Sequence, residues 1–173
     1  MLAGIVTVIT MAALPQQAQD TAARKDTAPP SPTATPTIEQ IRYLEGLKTA
    51  TRGVAQIRDG LNRVVRTQRA DSLTRRRAAR RLGGLCGTAR SFIVSGRPKM
   101  QPNAYADSMR ILAKQLTTRL DSLTSVLPTC EKTAGRDPVV ATTLTTRLKN
   151  YDDALLAFRT ALKPDSTKTA SQQ

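Results

Sequence analysis

Apolar side chains recur at helical spacing in four separate stretches of this chain, and this pattern restricts the fold more than any other feature. In the first stretch, Leu47, Val54 and Leu61 are seven residues apart, as the seam of a packed helix requires. Thr37 and Gln40 form a capping-box sequence at the start of this stretch. The pattern therefore predicts a long amphipathic helix that begins at Thr37.

Three further stretches have the same spacing. They cover residues 71–95, 105–127 and 138–162. Pro128 is expected to stop the third helix, and Asp137 is expected to cap the fourth, ahead of Pro138 in its first turn. Matched lengths and short connections predict an all-α fold, an antiparallel up-down four-helix bundle. The alternative is a long helical hairpin array in which the first two stretches are fused through residues 70–72.

Three glycines of the first stretch share its seven-residue interval. Gly46, Gly53 and Gly60 lie next to the apolar seam. Each glycine costs up to about 1 kcal/mol of helix propensity. The regular interval predicts a face on which a partner helix approaches closely, and the alternative is coincidence.

The N-terminal segment has the features of an export signal. Residues 2–14 carry no charge, and Ala18 provides a small residue for cleavage. A run of this length is too short to span a bilayer. The missing Lys or Arg ahead of it departs from the usual pattern, and the alternative is a buried β-strand around Val6–Ile9. We expect a signal peptide over residues 1–18 and a periplasmic or secreted protein without an integral membrane span after its removal.

Two polar segments flank the helical stretches. Residues 19–36 are rich in Pro, Thr and Ala, and residues 164–173 are also polar. Neither has enough large apolar side chains to offset the entropy of ordering. We therefore expect a disordered linker over 19–36, one helical bundle domain over 37–163 and a disordered tail over 164–173.

The chain contains no histidine. Catalytic triads, His-ligated metal sites and c-type haem attachment all depend on this residue, so carboxylates remain as the acid-base groups. Asp152 and Asp153 are adjacent, and neighbours on a helix diverge by about 100° and cannot share a substrate. The sequence predicts no catalytic residue, no metal site and no cofactor, and thus a protein that is not an enzyme.

The chain has two cysteines, Cys86 and Cys130, and in an exported protein they are expected to form a disulfide. In an ideal hairpin the two would lie about 10 Å too far apart, because a helix rises 1.5 Å per residue. Pairing requires either that residues 128–136 fold back along the bundle or that the helix bends at Gly83 and Gly84. The alternative is a reactive thiol, for which no histidine base is present.

Positive charge is concentrated in the second stretch. Residues 71–102 contain eight Lys and Arg and one Asp, half of the net charge of +14. The predicted polyanion-binding residues are Arg75, Arg76, Arg77, Arg80 and Arg81. Supporting charges are expected from Arg66, Arg69, Arg90, Arg97 and Lys99. The expected partners are an anionic surface or polymer, such as glycolipid phosphate or acidic polysaccharide, and a protein partner is a further possibility.

No aromatic residue interleaves with these arginines, so stacking on single-stranded nucleic acid is not predicted. The alternative for the cluster itself is a solvated surface in a chain with 19 Arg and 8 Lys. The sequence therefore predicts an exported, non-enzymatic helical binding or structural protein. The alternative function is a periplasmic chaperone-like bundle, or one that holds an apolar ligand along its leucine-lined seam.

Overall fold

The computed structural model describes residues 35–133 and 135–163, which are almost entirely helical and contain no strand. The helices are α1 (Ile38–Arg66), α2 (Ser72–Gly96), α3 (Asp107–Thr124), the short α4 (Leu127–Lys132) and α5 (Pro138–Leu162). Two 3₁₀ turns, Arg97–Lys99 and Pro102–Ala104, connect α2 to α3. The predicted signal peptide, nearly all of the predicted linker and the predicted tail lie outside the described residues.

The two capping predictions are confirmed. The Thr37 hydroxyl accepts a hydrogen bond from the Gln40 backbone N–H at 3.2 Å, and the Thr37 N–H donates to the Gln40 side chain at 3.0 Å. At the start of α5, the Asp137 carboxylate accepts from the Val139 N–H at 2.9 Å, and Pro138 lies in the first turn. Both arrangements satisfy backbone donors that a helix start leaves unpaired.

The all-α bundle is also confirmed. α1 packs along α2, and α3 packs along α5. α1 and α2 are separate and antiparallel, since Gly46 near the start of α1 faces Gly96 at the end of α2, and Gly60 faces Leu82. The hairpin array with the first two helices fused is therefore wrong.

The glycines of α1 lie where α2 comes closest. A Cβ atom added to Gly46 would lie 2.6 Å from the Gly96 carbonyl oxygen, and one added to Gly53 would lie 2.6 Å from the Ala89 carbonyl oxygen. At Gly60 the nearest atom, in a leucine side chain, would be 2.8 Å away. These distances are below van der Waals contact, so the seven-residue interval reflects close helix packing and not coincidence.

The third helix ends earlier than the sequence predicts. α3 ends at Thr124, and Pro128 lies in the first turn of α4. Proline is tolerated there because a first-turn N–H has no intrahelical acceptor. α4 packs on α2 and buries Leu127 and Cys130. The prediction that Pro128 stops the third helix is wrong, because the chain changes direction before it and Pro128 starts a new helix.

An aromatic cluster joins three parts of the bundle. The ring centroid of Tyr43 lies 5.1 Å from that of Tyr105 and 5.4 Å from that of Phe158. The Tyr43 hydroxyl donates to the Ala113 carbonyl oxygen of α3 at 3.2 Å. The cluster therefore fixes α1 against α3, α5 and the segment that precedes α3.

The buried tyrosines make the stability of the fold sensitive to alkaline pH. Burial raises the pKa of Tyr43, Tyr105 and Tyr151 above the ordinary value of 10.0. Above pH 10 the unfolded chain loses these protons while the folded chain keeps them, so the free energy of unfolding falls as pH rises. We expect the thermal midpoint, followed by circular dichroism, to fall above about pH 10.

Tyrosinate absorbance provides the check on this interpretation. We expect it to rise together with the loss of helical signal, because the buried phenols ionise when the chain unfolds. If tyrosinate absorbance from all three tyrosines rose while the helical signal stayed unchanged, burial would not be raising their pKa values.

Of the helices in residues 35–133 and 135–163, none combines the length and the apolar character needed to cross a membrane.

Candidate functional site

The N-terminal part of α2 carries the five arginines that the sequence predicts as a polyanion-binding patch. Asp71 caps this helix, and its carboxylate accepts from the backbone N–H groups of Leu73 and Thr74, both at 2.9 Å, and from the Thr74 hydroxyl at 2.6 Å. The Thr74 hydroxyl, followed by the backbone donor of the same residue, lowers the pKa of Asp71. The acidic residue nearest the cluster in sequence is thus engaged in starting the helix.

The inward face of α2 is held tightly. Its buried apolar residues are Ala78, Leu82, Cys86, Ala89 and Ile93. The backbone of this face lies directly against the glycines of α1, and α4 packs on it as well. The orientation of α2 is therefore fixed by close packing, and its opposite side faces solvent.

All five predicted arginines are exposed. Three salt bridges are present among residues 35–133 and 135–163, and none involves Arg75, Arg76, Arg77, Arg80 or Arg81. Like charges four residues apart, as in two pairs within this set, each destabilise a helix by about 0.2–0.5 kcal/mol. The cluster thus contributes unpaired positive charge and no stability to α2, so the stability of the fold does not account for it.

The expected supporting charges divide into two groups. Arg66, Arg69 and Arg90 are exposed and take part in no salt bridge of the described residues. Arg97, however, donates to both carboxylate oxygens of Asp121, at 2.7 and 2.9 Å, and Lys99 lies 3.7 Å from a carboxylate oxygen of Glu45. Arg97 and Lys99 are therefore paired with acidic residues, and their contribution to the patch stays a prediction.

The five arginines also divide, according to their position around α2. Arg75 and Arg76 line a cleft of about 390 Å³ at the end of the bundle where α1 finishes and α2 and α5 begin. We call it the basic cleft. We call Arg77, Arg80 and Arg81, which do not line it, the outer arginines. The predicted residues therefore form two adjoining surfaces and not a single face.

A third arginine of the basic cleft was not predicted. Arg136 lies on the loop before α5, about 60 residues after Arg75 and Arg76, and lines the same cleft. In sequence it stands alone between Gly135 and Asp137, so local charge density does not reveal it. A usable signal was its position directly before a helix cap, because such loops meet at the ends of a bundle.

The paired carboxylates form no catalytic dyad. Asp152 forms a salt bridge with Arg58 at 2.6 Å, while Asp153 is exposed. Among the described residues, no group of three or more cysteines and carboxylates is arranged to hold a metal ion.

Cys86 and Cys130 form the predicted disulfide, with Cα atoms 6.1 Å apart. The bond links α2 to α4. In an ideal hairpin the two cysteines would be too far apart to bond. They meet here because α4 turns back along α2, while α2 continues through Gly83 and Gly84 as one helix. The disulfide and the glycine contacts together fix α2 from two sides.

Comparison of the chain with protein-family models, with curated proteins and with solved structures finds no significant match.

Proposed function

We propose that this chain is an exported, non-enzymatic binding protein that contacts an anionic surface or polymer through the N-terminal part of α2. One observation carries this proposal. The five exposed arginines of this part of α2 have no salt-bridge partner in the described residues. Guanidinium groups bind phosphate and sulfate oxygens with two parallel hydrogen bonds, which favours such groups as ligands.

Rigidity supports the same proposal. α2 is held by close contacts at the glycines of α1 and by the Cys86–Cys130 disulfide to α4. A charged helix fixed in this way loses little conformational freedom when it binds, apart from its arginine side chains. The partners that fit are glycolipid phosphate and acidic polysaccharide. Export, which rests on residues 1–18, would bring the protein into contact with either.

A salt titration of labelled polyphosphate binding tests the proposal. We expect the wild type to bind with a steep dependence of log K on log salt. A variant with five arginines changed to glutamine should lose most of that slope. The five are Arg75, Arg76, Arg77, Arg80 and Arg81. Each neutralised phosphate contributes about 0.7–0.9 to the slope, so five contacts correspond to about 4.

The matched control removes the same charge elsewhere. It changes Arg52, Arg110, Lys114, Arg119 and Arg159 to glutamine, all of which are exposed and outside the salt bridges of the described residues. We expect this variant to keep most of the wild-type slope. Equal losses in the two variants would show that net charge alone drives binding and would contradict the proposal. Thermal midpoints should stay at or above that of the wild type for the α2 variant, because like-charge pairs are removed.

A second candidate function has its own observation. A groove of about 520 Å³ lies between α1 and α5 and is lined by Leu44, Leu47, Ala55 and Leu162 among other residues. Leu44 and Leu162 are 38% and 37% exposed. This surface favours the chaperone-like or apolar-ligand function. Binding of an apolar dye that is insensitive to salt, and lost on changing Leu44 to Ser, would support it.

A further inference from the structure

The basic cleft has three walls. α1 and the turn after it provide one wall, α2 a second, and the loop before α5 together with the first turns of α5 a third. The resulting space of about 390 Å³ is in the range of pockets that hold small ligands. It is open to solvent, so a group carried by a larger molecule can enter it.

No carboxylate lines the basic cleft beside its positive charges. Arg75, Arg76 and Arg136 line it, and none of the described lining residues is Asp or Glu. The neighbouring carboxylates in sequence, Asp71 and Asp137, accept hydrogen bonds from the first turns of α2 and α5 and do not line the cleft. An anion that enters therefore meets three cations and no opposing carboxylate.

The loop before α5 sets the position of Arg136. Gly135 has φ of +66° and is buried against α2, where an added Cβ atom would lie 2.5 Å from the Ala79 carbonyl oxygen. Only glycine fits this conformation and this space without strain. Arg136 also donates from its Nε to the Thr133 carbonyl oxygen at 3.3 Å, while its terminal nitrogens have no hydrogen-bond partner in residues 35–133 and 135–163. The loop thus holds the arginine stem and leaves the end of the guanidinium available.

The other lining residues indicate what accompanies the anion. The Thr142 hydroxyl donates to the Pro138 carbonyl oxygen of its own helix, so its oxygen remains as an acceptor. The Gln68 side chain has no hydrogen-bond partner among the described residues and can donate or accept. Val64 and Ala141 add apolar surface. The cleft therefore combines cations, a few polar atoms and an apolar wall, which suits an oxyanion attached to a hydroxylated carbon body.

We propose that the basic cleft binds the phosphate group of a sugar phosphate, with Arg75, Arg76 and Arg136 as its ligands. A phosphate monoester presents three terminal oxygens in different directions, which matches arginines that come from two separate elements better than a planar carboxylate does. The outer arginines then contact further anionic groups of the molecule that carries the phosphate. This inference rests on the proposed function and specifies the chemical group at one part of its surface.

An NMR titration of the ¹⁵N-labelled full chain with glucose 1-phosphate tests the inference, with glucose and glucuronate as matched ligands. We expect saturable shifts of the backbone amides of Thr67, Gln68 and Thr142, no shifts with glucose, and about tenfold weaker binding of glucuronate. Arg136→Gln should weaken glucose 1-phosphate binding about tenfold. Arg119→Gln, an equal change of charge at an exposed residue of α3 that does not line the basic cleft, should change it less than about twofold.

Two results would overturn the inference. One is the absence of saturable shifts at the cleft amides, and the other is equal weakening by Arg136→Gln and Arg119→Gln. Polyphosphate binding that still depends on the α2 arginines would then leave the proposed function standing without a defined phosphate site. If polyphosphate binding did not depend on the α2 arginines and glucose 1-phosphate binding did not depend on Arg136, both proposals would be contradicted.

Discussion

Replacing Gly53 by alanine should lower the free energy of unfolding by about 2–3 kcal/mol, although alanine is the better helix former by up to about 1 kcal/mol. The added Cβ atom would lie 2.6 Å from the Ala89 carbonyl oxygen, 3.1 Å from the Phe92 Cβ and 3.3 Å from the Ala89 Cα. Two of these three atoms belong to the backbone of α2, so no side-chain rotation relieves the overlap. α1 and α2 would have to move apart at this contact.

Gly84→Ala is the matched control. Gly84 lies on α2 and is exposed, and an added Cβ atom there has no neighbour within 4 Å. This change should therefore stabilise the protein by up to about 1 kcal/mol through helix propensity alone. Urea unfolding followed by circular dichroism measures both. If the two variants changed the free energy of unfolding in the same direction and by similar amounts, close packing would not explain the glycine at position 53.

Removing the disulfide should cost about 4 kcal/mol in the chain-entropy model. Cys86 and Cys130 are separated by 44 residues and are both fully buried. Opening the bond restores the freedom of that loop to the unfolded chain, and it also releases α4 from α2. Since small domains have total stabilities of about 5–15 kcal/mol, this is a large fraction. We expect reduced wild type to unfold at a clearly lower urea concentration than oxidised wild type.

The double variant Cys86→Ala/Cys130→Ala controls for other effects of the reductant. It should be destabilised about as much as the reduced wild type, and adding reductant should not change it further. Alanine avoids burying a hydroxyl group without a partner. Coincident urea curves for oxidised and reduced wild type would contradict a stabilising role for the bond.

The candidate site combines residues that are close in sequence with residues that only the fold brings together. The arginines of α2 can be identified from the sequence because they are neighbours within one helix, and all five are exposed on it. Arg136 cannot be identified in this way, since it lines the same cleft as Arg75 and Arg76 only because the loop at Gly135 packs on α2. The pairing of Arg97 with Asp121 is likewise a contact over 24 residues that no local pattern encodes.

The sequence by itself determined the four long helices and the capped starts of α1 and α5. The spacing of apolar residues at 3.6 per turn depends on residues within one helix, as does the capping of α1 by Thr37 and of α5 by Asp137, so local chemistry is sufficient. The tertiary structure decided the reversal at α4 that brings Cys130 to Cys86, the close contact at Gly53 and the assembly of the basic cleft. Each of these depends on distances between helices, which are set by how whole faces pack against one another.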